Sequence, residues 1–206
     1  MSYIKVCGIT NKHDLNFLIT TEIDAVGFNL YSESKRFIDL PFAQIMSERL
    51  PRNIEVFLIF VNQEKEFVTK CLKEIPRAIP QFHGVETQSY CEILGKDYVQ
   101  AIRIKEDTDL EKINKDYKNA KMLIFDSYDT GAYGGTGKTF DLNLLKGNVK
   151  IPFLAAGGIN ESNFKEALKI ENCIGVDFCS SVEEVPGVKD HNKVQNLIEK
   201  VRSFHV

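Results

Sequence analysis

Eight short apolar or β-branched runs recur along the chain, at residues 4–7, 25–28, 56–61, 78–81, 98–104, 122–126, 153–156 and 176–179. Between them lie stretches with helical spacing, such as Leu15, Leu18 and Ile19, then Phe42, Ile45, Met46 and Leu50, and finally Val194, Leu197, Ile198 and Val201. Strands that are nearly all apolar belong in a parallel sheet covered on both faces, because a sheet with one wet face alternates apolar and polar residues. Eight repeats of strand and crossover are the number that closes such a sheet on itself. The expected fold is therefore α/β, a (β/α)₈ TIM barrel, with an open doubly wound sheet as the competing arrangement.

The chain has 206 residues and is 43% hydrophobic, enough for one sizeable core without disulfide or metal staples. No linker, low-complexity segment or long charge run interrupts the alternation, so residues 1–206 are read as a single domain. A barrel of this length sits near the low end of its size range, and the segment after the sixth strand, 141–146, is expected to carry a minimal or distorted helix. The net charge of -3 offers no field for holding nucleic acid or an anionic membrane. No apolar run approaches the ~20 residues of a membrane span, and the start lacks the features of a secretory signal, which points to a cytoplasmic protein. Five cysteines, at 7, 71, 91, 173 and 179, contain no C-x-x-C pair and read as free thiols.

Barrels of this kind place their chemistry at the C-terminal ends of the strands. Here those ends read Cys7-Gly8, Gln81-Phe82-His83-Gly84, Asp126-Ser127, Gly157-Gly158 and Cys179-Ser180-Ser181. Only the first strand offers a thiol beside a glycine there; the plainer reading of Cys7 is a small buried hydrophobe, and of Asp126 a helix or loop cap. Gly157-Gly158, followed by helical sequence, and Ser180-Ser181 suit phosphate. Glycines let backbone N–H groups approach its oxygens, and the loops after strands seven and eight are where barrels often bind it. A tight strand-to-helix turn is the plainer explanation of the two glycines. The run Gly134-Gly135-Thr136-Gly137-Lys138-Thr139 is not a nucleotide-binding P-loop, because Ala132 stands where that motif needs glycine. It fits a loop closing over ligand, or simply a mobile surface loop.

In order and spacing, Lys5-Val6-Cys7-Gly8-Ile9-Thr10, Gln81-Phe82-His83-Gly84 and the segment from Gly134 through Phe140-Asp141 resemble phosphoribosylanthranilate isomerase. So do Ala156-Gly157-Gly158-Ile159-Asn160, Val176-Asp177 through Glu183, and Pro186-Gly187-Val188-Lys189-Asp190, which extends the resemblance over nearly the whole chain. It implies a small barrel of the ribulose-phosphate-binding type. The implied activity belongs to tryptophan biosynthesis: an Amadori rearrangement of N-(5-phosphoribosyl)anthranilate to its 1-deoxyribulose product, with no cofactor and no metal. By residue, it implies Asp126 as the acid that protonates the furanose ring oxygen and Cys7 as the thiolate that removes the C2 proton. A free thiol ionises near pH 8.5, so Cys7 needs a nearby positive charge or helix terminus. Arg36 would bind the anthranilate carboxylate, its fork suiting that anion, with a surface ion pair as the alternative. Gln81 and His83 would line or support the site, and Gly135, Gly157, Gly158, Ser180 and Ser181 would bind substrate.

The chain departs from the family at Lys35, usually proline, at Leu142, often tryptophan, and at Cys179-Ser180-Ser181, where the family reads Ser-Ser-Gly. If the backbone at Ser181 has positive φ, a side chain there costs about 1–2 kcal/mol and weakens phosphate binding. The partner expected is a small-molecule substrate, and the protein a monomer or homodimer. Competing functions are a histidine-pathway aminoaldose isomerase, whose paired aspartates Cys7 argues against, and an indole-forming synthase, whose strand-end lysine is missing. From a different class comes a noncatalytic barrel that only binds a phosphorylated metabolite.

Overall fold

The computed structural model describes residues 1–92, 95, 97–127, 141–147 and 149–205. The first strand, β1 (Tyr3–Cys7), begins a parallel sheet that continues in order through β2 (Ala25–Asn29), β3 (Glu55–Phe60), β4 (Ala78–Phe82), β5 (Val99–Ile104), β6 (Met122–Ser127), β7 (Phe153–Ala155) and β8 (Cys173–Phe178). β8 returns to pair with β1, from Tyr3 against Gly175 to Val6 against Phe178, and the sheet closes into a barrel. The expected (β/α)₈ architecture is the one observed.

Helices α1 (Lys12–Leu18), α2 (Leu40–Glu48), α3 (Lys65–Glu74), α4 (Gln88–Glu92), α5 (Leu110–Asp116), α6 (Phe164–Leu168) and α7 (His191–Ser203) occupy the crossovers. Several start where a short polar side chain takes up an orphan N–H: Asn11 accepts from Asp14, Asp39 from Phe42, Asp109 from Lys112, and Asp190 from Asn192 and Lys193. After β6 there is only a 3₁₀ turn, Leu142–Leu145, capped by Asp141 and held to the core by Leu142 and Leu145. This is the minimal helix that the chain length requires.

β8 begins three residues before the apolar run at 176–179. Its register against β7 slips by one residue, looping out Ile174, and Gly175 interrupts the apolar pattern that would have marked the start. A two-stranded antiparallel hairpin, β9 (Glu183–Val185) and β10 (Val188–Lys189), had no counterpart in the sequence reading. It turns at Gly187, whose φ of 88° suits glycine.

Alternation along each strand sends one set of side chains outward to the helices and the other into the barrel. The inner set is apolar at its base and middle: Ala25, Phe57, Val99, Ala101, Met122, Ile124, Leu154 and Ala156 pack together. The same alternation carries Cys7, Asp126 and Asp177 to the upper end of the interior. At the opposite end, Tyr3 donates to Glu55 at 2.5 Å, and Lys121 pairs with Glu55 at 2.6 Å.

The β1–β8 join needs a bare backbone at Gly175, where a Cβ would stand 2.0 Å from the carbonyl oxygen of Tyr3. Backbone cannot yield as a flexible side chain does. Gly175→Ala should therefore destabilise the fold by about 3 kcal/mol, the upper end of overpacking costs. Urea unfolding measures this, and an unchanged midpoint would contradict the close approach.

Candidate active site

The C-terminal ends of the strands surround a cavity of about 500 Å³. It is lined by Cys7, Gly8, Arg36, His83, Asp126, Gly157, Gly158, Ser180 and Ser181, together with Asp177 and Cys179. The structure thus brings to one place eight of the ten residues assigned to the site from sequence, Gln81 and Gly135 being the other two. Gln81 lies elsewhere: it is fully buried, off the cavity wall, with its side-chain amide against His83 Nε2. Gly135, like Tyr133 and Lys138 of the glycine-rich segment, falls outside the described residues.

Glycines make the room. At Gly27 a Cβ would come 2.7 Å from Cys7 Sγ, so β2 leaves space for the thiol. At Gly8, with φ of 75°, a Cβ would come 2.5 Å from Cδ of Arg36, whose side chain lies across the end of β1. Gly157 has φ of 59°, and a Cβ there would meet the Ser127 nitrogen at 2.1 Å and Asp126 Oδ1 at 2.6 Å. It adjoins Gly158, with φ of 79°, so two successive left-handed residues shape the loop after β7. Helix α6 starts only at Phe164, so the expected helix N-terminus does not directly follow these glycines. Ser180 and Ser181 open a 3₁₀ turn, Ser180–Val182. The only non-glycine residues with positive φ among those described are Asn62 and Asn172, so the strain expected at Ser181 is absent. Its buried Oγ has no hydrogen-bond partner among the described residues.

Asp126 accepts from the Ser127 N–H at 2.8 Å. Burial raises its pKa to about 6; Asp177 adds to the rise, while the Ser127 N–H, Arg103 and Lys5 oppose it. A carboxyl so placed holds its proton nearer neutrality than an exposed one. His83 is moved the other way, to about 3, by burial and by the charges of Lys5 and Arg103, so it is a neutral imidazole at physiological pH. It is thereby a poor proton carrier.

Four further residues around the cavity, Lys5, Asp177, Glu183 and Cys179, stand in the motifs quoted from sequence but were given no role there. Lys5 is fully buried inside the barrel, 2.7 Å from Asp177, the residue opposite it in the β1–β8 register. Its charge draws the Cys7 thiol down, but the neighbouring Cys179 and burial outweigh it and leave that thiol raised well above its ordinary value. Glu183 takes a two-pronged contact from Arg36, Nε to Oε1 at 2.8 Å and Nη2 to Oε2 at 2.6 Å, and accepts from Lys189 at 2.8 Å. Burial would raise its pKa, but these two cations hold the carboxyl below its ordinary range. Arg36 is therefore in a buried ion pair, not the surface pair weighed as an alternative, and its Nη1 has no partner among the described residues. Cys179 is the fourth. It lines the cavity beside Cys7; the neighbouring thiol and burial push the Cys7 thiol well up, while Cys7, Lys189 and Arg36 draw the Cys179 thiol down to about 7 against burial.

No three His, Cys, Asp or Glu side chains are grouped to hold a metal ion among the described residues. The arrangement offers a proton donor, a pair of thiols, a cationic edge and a turn of backbone amides and hydroxyls around one cavity. Residues 4–200 match the family model described as N-(5'phosphoribosyl)anthranilate (PRA) isomerase. The chain belongs to the phosphoribosylanthranilate isomerase family. Its similarity to the N-(5'-phosphoribosyl)anthranilate isomerase of Thermoanaerobacter sp. (strain X514) is 39% identity, over 99% of this chain and all of that one. The crystal structure of phosphoribosyl anthranilate isomerase from Thermotoga maritima superposes with a TM-score of 0.89 at 29% identity, covering 99% of this chain and 100% of that one. A further structure of the family enzyme, in complex with reduced 1-(o-carboxyphenylamino)-1-deoxyribulose 5-phosphate, has a TM-score of 0.85 at 27% identity, with 99% and 100% covered.

Two stability effects follow from these surroundings. The raised pKa of Asp126 means that its ionised form is penalised in the folded state. Asp126→Asn should stabilise the fold by up to about 3 kcal/mol above about pH 6, and the gain should vanish below 3.8, as denaturant unfolding at several pH values would show. Glu183→Gln leaves Arg36 and Lys189 without their countercharge and should cost about 3 kcal/mol in the same assay while raising KM.

Proposed function

We infer that this chain is an N-(5'-phosphoribosyl)anthranilate isomerase of L-tryptophan biosynthesis, an aldose-ketose isomerase acting by Amadori rearrangement. The observation that carries the assignment to particular residues is the placement of Cys7 and Asp126 on one cavity, between the free edge of Arg36 and the Gly157–Gly158 and Ser180–Ser181 loops. The substrate has the same layout: a carboxylate on an aromatic ring, a sugar in the middle and a phosphate at the far end.

In this reading, the Arg36 fork, braced by Glu183, takes the anthranilate carboxylate. The amides around Gly157 and Gly158 and the hydroxyls of Ser180 and Ser181 take the phosphate, with Ser181 Oγ offering a donor that no described residue occupies. Both ends being held, the ribose is fixed between acid and base, and orientation supplies part of the rate. Asp126 gives its proton to the ring oxygen, the C1–O bond breaks, and the anthranilate nitrogen lone pair forms the iminium. The Cys7 thiolate then takes the C2 proton, and the electron pair neutralises the iminium nitrogen to give the enolamine, which tautomerises to the ketose. The positive iminium acidifies C2–H, so a thiolate is base enough. His83, just past β4, lines the wall beside this path, and Gln81 of β4 supports its ring from beneath. The reaction uses no cofactor in this scheme.

The protein acts here as one barrel unit over residues 1–206 on a small-molecule substrate, as a monomer or homodimer. No helix among the described residues is long and apolar enough to cross a membrane, and we place the enzyme in the cytoplasm, where its free thiols stay reduced.

Turnover of freshly generated phosphoribosylanthranilate, followed by loss of anthranilate fluorescence, tests the reading. The native chain should turn over, and Cys7→Ser and Asp126→Asn should each lose at least about 10²-fold in kcat while remaining folded. Binding of a product analogue without turnover by the native chain would instead make it a noncatalytic metabolite-binding barrel.

A further inference from the structure

We propose that Lys35 is a specificity-determining residue: its ammonium group stands beside the Arg36 fork as a second cation for the carboxylate on the substrate's aromatic ring. The inference rests on the reading above, in which that carboxylate comes to Arg36.

The loop after β2 is closed on itself, which holds Lys35 at one place on the rim. The Asn29 side chain accepts from the Tyr31 N–H at 2.9 Å, and the Asn29 carbonyl oxygen accepts from the Ile38 N–H at 2.9 Å. Within the loop the Phe37 N–H donates to the Ser34 carbonyl oxygen at 3.1 Å, so residues 34–37 form a turn with Lys35 at its second position. Ser34 Oγ accepts from the Arg36 N–H at 3.1 Å and tightens the same turn. Proline, usual here in the family, suits that position through its fixed φ. Lysine keeps the turn and adds a charge.

Among the described residues, only two cations line the cavity, Lys35 and Arg36. They differ in what surrounds them. Arg36 is buried and tied to Glu183 by its two-pronged contact. Lys35 is exposed, and no ion pair or hydrogen bond engages its ammonium group among the described residues. Glu33, the carboxylate nearest to it in the chain, accepts from the Tyr31 hydroxyl at 2.6 Å instead.

The other charges around the cavity are matched without Lys35. Lys5 faces Asp177, Arg103 stands opposite Asp126 in the β5–β6 register, and Arg36 and Lys189 share Glu183. The positive charge left over by that trio is offset by Glu33, which lines the same rim. With Asp126 ionised, these described surroundings are neutral until Lys35 is counted, and Lys35 makes them attractive to an anion. That attraction matters in a chain of net charge -3, whose overall field opposes an anionic substrate. An ammonium group on a flexible stem can meet the carboxylate at the rim and stay with it as the Arg36 fork engages. A ring without the carboxylate gains nothing from Lys35, and there the discrimination arises.

The test compares the native enzyme with Lys35→Met, which keeps the stem and removes the charge, Lys35→Glu, which reverses it, and Lys35→Arg, which keeps it. With phosphoribosylanthranilate at low salt, Lys35→Met should raise KM about two- to fivefold with kcat retained, the range of an exposed ion pair. Lys35→Glu should raise KM further, Lys35→Arg should restore it, and the differences should shrink as ionic strength rises. Binding of two probes isolates the carboxylate: reduced 1-(o-carboxyphenylamino)-1-deoxyribulose 5-phosphate, and the same compound without its ring carboxylate. Lys35→Met should weaken the first by the same about two- to fivefold and leave the second unchanged. An unchanged KM, a loss in kcat alone, or equal weakening of both probes overturns the proposal, the last because it puts Lys35 on the phosphate or on the shape of the loop. Failure of the underlying reading looks different. A native protein that binds both probes equally denies the carboxylate to Arg36 and Lys35 together, whereas a preference lost in Arg36→Met but kept in Lys35→Met removes Lys35 alone. The probes need no turnover, so a native chain that binds them without turning substrate over fails as an isomerase while the Lys35 comparison still decides.

Discussion

Closing a parallel sheet of eight strands requires the first strand to find the last, and in this chain the join is made over charged side chains inside the barrel. Lys5 and Asp177 stand opposite each other in the β1–β8 register, 2.7 Å apart and nearly without solvent. Neither charge is tolerable alone at such depth, and removing one partner of a buried pair typically costs about 3–5 kcal/mol. A one-residue slip of β8 would send Asp177 outward and strand Lys5 among Phe57 and its neighbours, so the pair also discriminates against wrong closure. The same register places Cys7 and Cys179 side by side one layer above. The closure and the chemistry are thus one event: residues 172 positions apart in sequence become neighbours only when the barrel is complete.

The cationic side of the cavity follows the same logic. Arg36, from the loop after β2, would swing freely if it met only solvent. Glu183 holds its guanidinium by two hydrogen bonds, Lys189 holds Glu183, and the β9–β10 hairpin exists to bring those two residues back over the end of β8. Gly187 at its turn donates its N–H to the same carboxylate at 3.2 Å. A ligand carboxylate arriving at Arg36 therefore meets a fork that is already oriented, and little side-chain entropy remains to be lost on binding.

The strands were legible because a covered parallel sheet writes itself as apolar runs, and the strand ends because polar residues interrupt those runs at one consistent end. Local signals fail where the partner is distant. Nothing near Arg36 in the chain announces Glu183, 147 residues on, and a lysine at position 5 of an otherwise apolar strand looks like a surface residue until β8 supplies Asp177. Cys179 was read at the end of the last strand and as a departure from the family, but only the closed β1–β8 register sets it beside Cys7 on the cavity. Gln81, two residues before His83 and so on the same inward face, is buried beneath the cavity with its amide against the His83 ring, a position that supports the site without lining it and that only the packed barrel reveals. At Ser181 the glycine of the family suggested a left-handed backbone, whereas the 3₁₀ turn is compatible with any residue. The bulge at Ile174 broke the period on which strand starts are read.

The upper interior of the barrel carries what a core designed for stability alone would exclude: a carboxyl whose ionisation is resisted by burial, two adjacent thiols, a buried imidazole and two ion-paired clusters. The lower interior is apolar and packed, and its end is tied by Tyr3, Glu55 and Lys121. That division explains how the chain tolerates the upper layer. The fold is secured by the helices against the outer face and by the apolar half of the interior, and the strand ends above are left to hold groups in protonation states they would not adopt in water. Burial pushes the Asp126 carboxyl up to about 6, so it holds its proton to a higher pH than an exposed carboxyl, while Lys5 draws the Cys7 thiol down against burial. A carboxyl whose proton is held more tightly than in water and a thiol set beside a buried lysine, brought to a single cavity, are the pair of groups that an acid–base isomerisation requires.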